Sequence, residues 1–267
     1  MTAPVITDCH FHLFGPAGRY PTQKAALYVP DDTTPEMAKA LFRDLGVTRA
    51  VVIQPSVYGF DNRCQLEGAA QLGIPTRAVV ALPVDTDAAA LNELHRQGAR
   101  GVRFSLALSG APLPDGFERF AGRLASLGWH VQMFINAQQL AELGPRLSRL
   151  PCPVVIDHLG LIEPQGGINH PGFQALLALV AANGWVKLSA GYRVTASPAP
   201  YADLMPYVHA LAVARPDRLL WGTDWPHVHI PQTIDTKLML SQMDLWIPDA
   251  TVRARIFSDN PTALYGF

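Results

Sequence analysis

Hydrophobic and polar positions along this chain fall into repeating blocks. Short β-branched or apolar runs recur from end to end, at residues 5–10, 49–54, 76–82, 101–106, 131–135, 154–157, 185–189 and 219–222. Near-continuous hydrophobicity within each run predicts parallel strands covered by helices. The stretches between the runs carry helical punctuation. Thr34 and Pro35 read as an N-cap and first helical position, and Met37, Ala40, Leu41 and Leu45 form a stripe closed by Gly46. Asp87 caps a segment with Leu91 and Leu94, and Phe117, Phe120 and Leu124 stripe the next. Leu140, Leu143 and Leu147 suggest another helix, which Pro145 must bend or break. Pro171 opens a helix with Phe173, Leu176, Leu177 and Val180, and Tyr201, Leu204, Met205, Val208 and Leu211 mark a further one. Such stripes are core-facing. Strand and helix alternating eight times predict a single-domain (β/α)8 TIM barrel spanning residues 1–267. An open doubly wound sheet is the alternative, but Gly15-Pro16-Ala17-Gly18 after the first run does not match the dinucleotide glycine pattern.

In a barrel, chemistry sits at the C-terminal ends of the strands. The first run ends in His10 and His12, two apart and so on one side of the strand, with Cys9 alternating away towards the helix layer. The second ends in Gln54, the fourth carries Arg103, and the fifth ends near Phe134 and Asn136. The sixth ends Asp157-His158, the seventh reaches Ser189 and then Arg193 in a loop, and the eighth delivers Asp224. Polar groups gathered at one end of apolar strands are costly unless paired or used. Arg103 has the plainer alternative of pairing with a helix carboxylate, and Arg193 that of lying in solvent. His227, three residues past Asp224, reads either as a partner behind it or as an exposed side chain. Tyr28 follows the first strand in a long loop of the kind that closes over a barrel mouth. His95, His130, His170, His209 and His229 receive no role.

Composition narrows the function classes. The chain is 49% hydrophobic and 16% charged, with a formal net charge of −1, which gives no basic footprint for nucleic acid and no polybasic membrane patch. Three widely spaced cysteines argue against a disulfide framework and fit a reducing cytoplasm. Met1-Thr2-Ala3-Pro4 lacks the features of a signal peptide, and no apolar run approaches the roughly 18–20 residues of a membrane span.

Asp-Cys-His-Phe-His-Leu-Phe-Gly-Pro near the start, Gly-Val-Arg-Phe at 101–104, Val-Ile-Asp-His-Leu-Gly at 155–160 and Trp-Gly-Thr-Asp-Trp-Pro-His at 221–227 together resemble the amidohydrolase superfamily. The branch they resemble is that of the metal-independent lactonases typified by 2-pyrone-4,6-dicarboxylate hydrolase. Tyr-Gly-Phe-Asp-Asn-Arg at 58–63 and Asp-Asn-Pro at 259–261 extend the similarity essentially end to end. The resemblance implies that Asp224 is the general base, and that His10, His12 and His158 polarise a lactone carbonyl. It also implies that Arg103 and Arg193 anchor a substrate carboxylate and that Tyr28 contacts substrate; Gln54, by its strand-end position, is a further candidate for substrate binding. Two features depart from the pyrone dicarboxylate enzyme. A further arginine after the strand-four arginine is replaced by Ser105-Leu106-Ala107-Leu108-Ser109, and a strand-five tyrosine by Phe134. A different lactone is therefore expected, with one carboxylate or a sugar-acid ring.

His10, His12, His158 and Asp224 could also hold a single zinc ion. Binuclear members of the superfamily add a strand-four lysine or glutamate and a strand-five histidine, where this chain has Arg103 and Phe134/Asn136. A guanidinium cannot ligate a cation, so no cofactor is the expectation. The leading expectation is thus a cytoplasmic lactonase acting on a small molecule, without nucleic-acid or membrane partner, with a homo-oligomer left open. A lactone isomerase, a zinc-dependent hydrolase or decarboxylase, and a ligand-binding barrel without turnover are the competitors.

Overall fold

The structure, a computed structural model, describes residues 5–267; the reading of residues 1–4 as no signal peptide lies outside them. All eight expected strands form: β1 (Thr7–Phe11), β2 (Arg49–Ile53), β3 (Thr76–Val80), β4 (Ala99–Phe104), β5 (His130–Met133), β6 (Val154–Ile156), β7 (Gly184–Leu188) and β8 (Leu219–Trp221). They pair in parallel in chain order from β1 to β8, with helices between them, giving the (β/α)8 barrel. Most strands end one or two residues before the expected limit. The stretch expected to end the fourth strand turns instead into a short helix, Leu106–Ser109.

The punctuation acts as its chemistry requires. Thr34 accepts from the Met37 amide and Asp87 from the Ala90 amide, while Asn136 and Gln139 form a reciprocal capping box. Pro145 does not break its helix, which runs from Ala137 to Leu147. Lying in the last turn, it removes one backbone bond at a point where the helix is about to end.

Closure between β1 and β8 is made differently from the other seven seams. The buried Asp8 carboxylate accepts from the Thr223 amide (3.0 Å), the Thr223 hydroxyl (2.6 Å) and the His10 amide (3.0 Å). Above it the Asp224 amide donates to the His10 carbonyl (2.8 Å) and the His12 amide to that of Trp225 (2.9 Å). Gly222 permits this approach, since a Cβ there would stand 2.7 Å from the backbone nitrogen of His10.

A bulge in β1, where the register with β2 shifts between Asp8 and Phe11, overturns the expectation for Cys9. Two consecutive residues, Cys9 and His10, face inward, because a bulge interrupts strict alternation. Cys9 packs in the barrel interior with Val51, Val79, Val155, Trp185 and Leu220, not against the helices. The C-terminal helix Asn260–Tyr265 plugs this end with Leu264 and Tyr265. Arg49 ties the plug down by donating to the Thr262 hydroxyl and the Ser258 carbonyl.

Candidate active site

At the other end of the strands a cavity opens, lined by His12, Tyr28, Arg103, Phe134, His158, Arg193, Asp224 and His229, among others. Its space, open mouth included, is about 400 Å³. Asp224 stands at the focus. Its Oδ1 faces three imidazole nitrogens: Nε2 of His10 at 3.4 Å, of His12 at 3.6 Å and of His158 at 3.6 Å. Its Oδ2 accepts from the Tyr192 hydroxyl (2.6 Å) and from Nε of Arg193 (2.8 Å). Behind Tyr192, His227 Nδ1 lies at 3.0 Å and its Nε2 at 2.8 Å from the Thr236 hydroxyl. The chain Thr236, His227, Tyr192, Asp224 is therefore continuous, with His227 behind the carboxylate. Burial would raise Asp224, but Arg193 first and then the histidines hold it well below the ordinary carboxylate range.

The backbone that aims these groups is strained. His158 (φ 51°), Asp224 (φ 59°), His227 (φ 62°) and His229 (φ 57°) all occupy the left-handed region, at a cost on the order of 1–3 kcal/mol each. A fold keeps such cost where side-chain direction matters more than local stability.

Hydrogen bonds fix ring orientation. His12 Nδ1 donates to the Ile53 carbonyl (2.7 Å), which leaves its Nε2 as an acceptor towards the cavity. His158 Nδ1 is 2.9 Å from the Ser189 hydroxyl. Burial pushes His12 down and His158 down to about 4, so both are neutral near pH 7. His10 is fully buried and lies beneath the cavity, touching Asp224 without lining the wall.

Arg103 donates from Nε to Asp157 Oδ2 (3.1 Å) and from Nη1 to the Gln54 carbonyl (3.2 Å), with its guanidinium over the Phe134 ring. It pairs, but with a strand carboxylate and not a helix one, and it still faces the cavity. Arg193 lies in a short helix, Gly191–Val194, not in a solvent-exposed loop. Tyr28 does close over the mouth, stacked on His229 at 5.3 Å between centroids. Gln54 is the exception: its amide turns away and donates to the carbonyls of Gly59 and Asp61, so it holds a loop and contributes no side chain to the wall.

Four participants escaped the sequence reading. His229 lies in a loop, away from any strand end, and so carries no sequence signal of a role. Tyr192 is separated from Asp224 by 32 residues. Lys187 and Gln132 fill the layer below the cavity, where Lys187 Nζ donates to Gln132 Oε1 (2.8 Å) and sits 3.2 Å from His10 Nδ1 and 3.4 Å from Asp157 Oδ1. Burial opposes the Asp157 charge, but Lys187, His10 and Arg103 together hold it well below the usual range.

Ligand atoms of His10, His12 and Asp224 lie within 4.8 Å of one another, as do those of His10, Asp157 and His158. These distances suit a divalent ion. The neighbours do not, since Arg193, Arg103 and Lys187 already stand against the same carboxylates and imidazole.

A model of the family described as Amidohydrolase matches residues 7–267. The chain is 34% identical over 273 residues to 4-sulfomuconolactone hydrolase of Hydrogenophaga intermedia, covering 98% of this chain and 89% of that protein. It is 32% identical over 271 residues to 2-pyrone-4,6-dicarboxylate hydrolase of Comamonas testosteroni, covering 97% and 89%. Among solved structures, a probable 2-pyrone-4,6-dicarboxylic acid hydrolase of Acinetobacter baumannii with citric acid bound superposes with a TM-score of 0.87 at 28% identity, covering 98% of this chain and 99% of that one.

Proposed function

Since the chain belongs to the amidohydrolase family, we propose that it hydrolyses a lactone bearing one carboxylate or derived from a sugar acid, without a metal. The observation that carries this reading is the Asp224 carboxylate, ionised and ringed by imidazole nitrogens on one oxygen while the other is held by Tyr192 and Arg193. The curated relatives named as lactone hydrolases support the reaction class.

The tautomers divide the work. His12 Nε2 and Asp224 Oδ1 are both acceptors, 3.6 Å apart, so a water can donate one hydrogen to each. Its oxygen then attacks the lactone carbonyl, and Asp224 takes the proton. Arg103 and His158, on the same wall, supply N–H groups to the oxyanion, the larger contribution where a low-pKa carboxylate is only a weak base. Collapse breaks the ring C–O bond, the alkoxide takes the proton back from Asp224, and a hydroxy acid leaves.

Arg103, Arg193 and Asp224 give the wall one excess positive charge, which suits a single substrate carboxylate. Where the pyrone dicarboxylate enzyme has a second arginine and a tyrosine, the wall here presents Leu108 and Phe134. The test is a panel of aldono- and muconolactones followed by proton release in 18O-labelled water, with Asp224→Asn beside the parent. Expected are one label per product, activity that survives chelation, and a loss of about 10³-fold in the variant. Product without label would mean an isomerase using the substrate's own hydroxyl. Dedicated turnover of the pyrone dicarboxylate, or activity lost with stoichiometric zinc, would overturn the substrate class or the metal-free reading.

A further inference from the structure

The proposed mechanism leaves Lys187 without a task, although the interior of the barrel is built around it. It is fully buried on β7, and its ammonium has three neighbours for three hydrogens: Gln132 Oε1 at 2.8 Å, His10 Nδ1 at 3.2 Å and Asp157 Oδ1 at 3.4 Å. Burying a cation is costly unless it is paired and hydrogen-bonded. Removing Lys187 would still leave Asp157 its Arg103 partner, so neutralising that carboxylate does not by itself require the lysine.

His10 is where Lys187 makes a difference. Its Nδ1 has two competing neighbours, the ammonium at 3.2 Å and Asp157 Oδ1 at 3.3 Å. The first would make Nδ1 an acceptor and place the hydrogen on Nε2. The second would place the hydrogen on Nδ1 and leave an Nε2 lone pair beside Asp224. Asp157 Oδ1 makes no hydrogen bond, and neither does Nε2 of His10, which stands 3.4 Å from Asp224 Oδ1; the lysine contact is the one that meets hydrogen-bond geometry at this ring.

We propose that Lys187 is a positioning residue that locks His10 in its Nε2–H tautomer, so that His10 points a hydrogen at Asp224 and cannot ligate a metal. The arrangement extends the familiar logic in which a base is oriented by a third group. One lysine hydrogen bond sets the imidazole, the imidazole turns its N–H edge towards Asp224 Oδ1 3.4 Å away, and the same N–H removes the lone pair that would complete the His10, His12, Asp224 metal set. The opposite tautomer, with Nδ1–H on a carboxylate, is the one that metal-bound histidines adopt. This inference rests on the metal-free reading of the site, but its readouts need no substrate.

The test has two arms on the full chain. Long-range 1H–15N spectra of 15N-histidine-labelled parent protein report each ring's tautomer, and His10 is assigned in the parent itself by through-bond correlation of its ring with its own backbone amide. Expected for His10 is a bare Nδ1 and a protonated Nε2. A protonated Nδ1 would overturn the proposal, and this arm stands whether or not any variant folds. In the second arm, parent and Lys187→Met are equilibrated with zinc chloride alone, desalted and analysed for metal. The variant should move the His10 hydrogen to Nδ1, facing Asp157, and bind zinc at least about 10-fold more tightly than the parent, the scale on which such outer partners act. Equal zinc affinity in the two proteins would refute the gating role. Failure of the lactonase reading would instead show as no turnover of any lactone with the parent tautomer unchanged.

Discussion

The lower and upper halves of the barrel interior are built from the same strands and are equally buried, yet they hold opposite chemistry. Below, Cys9, Val51, Val79, Val155, Trp185 and Leu220 close on Leu264 and Tyr265. One pleat above, Val155 gives way to Asp157, Trp185 to Lys187 and His130 to Gln132. Burial is therefore not what decides whether an ionisable group can be kept there. Lys187 finds three polar neighbours and Asp157 is flanked by Lys187, His10 and Arg103. His130, a single step lower, packs edge-on against Tyr265 with neither ring nitrogen hydrogen-bonded, and burial pushes it down to about 3. Convergence on a shared partner separates a functional layer from a merely buried one.

Breaking the upper layer should have the largest effect. Asp157→Asn keeps the shape but leaves Lys187 and Arg103 facing each other without the charge between them. Loss of one member of a buried ionic set costs about 3–5 kcal/mol, and denaturant unfolding at pH 7.5 should show a loss of that size. A loss under about 1 kcal/mol would mean that the layer does not depend on its carboxylate.

The lower layer should respond in the other direction. The parent's His130 has a folded pKa depressed from 6.5 to about 3. The stability that it permits is present above 6.5 and is lost as pH falls towards 3, because the unfolded chain takes up the proton first. His130→Phe, which keeps a ring beside Tyr265, should therefore be more stable than the parent at pH 5 by about 2 kcal/mol and nearly equal to it at pH 7.5. Equal stability at both pH values would show that His130 finds a partner that the static structure does not give it.

The contrast also explains what was legible in the sequence. Apolar runs tipped with His10, His12, His158 and Asp224 announced both the barrel and its open end, because strand periodicity and end position are local properties. Lys187 left a local trace as well, a charge inside Trp185-Val186-Lys187-Leu188-Ser189, but its partners Gln132 and His10 lie 55 and 177 residues away. Periodicity cannot pair residues across a barrel. Cys9 was misplaced for a different reason: a bulge adds one residue and inverts the side from that point on. Gln54 stood at a strand end, as expected, but its amide was taken by the backbone of the loop that follows. The seam carboxylate Asp8 sat in plain view within the first motif, but its role depends on Gly222 and Thr223, more than 200 residues on.

The smallest expected effect is an absence of change, in the pH dependence of kcat/KM. A base works when ionised, and Asp224 is held well below its ordinary 3.8 by Arg193 and the histidines against the opposing effect of burial. His158 at about 4, and His12 lowered from 6.5, stay neutral over the same interval. The rate should thus be level from about pH 7 to about pH 8. Asp8 is the complication: burial raises it from 3.8 to about 6, against the hydrogen bonds it accepts from Thr223 and His10. Its protonation can add a shallow acid limb by loosening the seam that positions His10 and Asp224. Asp8→Asn should remove that limb, because an amide at this position has no charge to lose. An acid limb centred near pH 6.5 that persists in Asp8→Asn would show that a histidine must be neutral to take the proton, and would move the general base from Asp224 to His12 or His158.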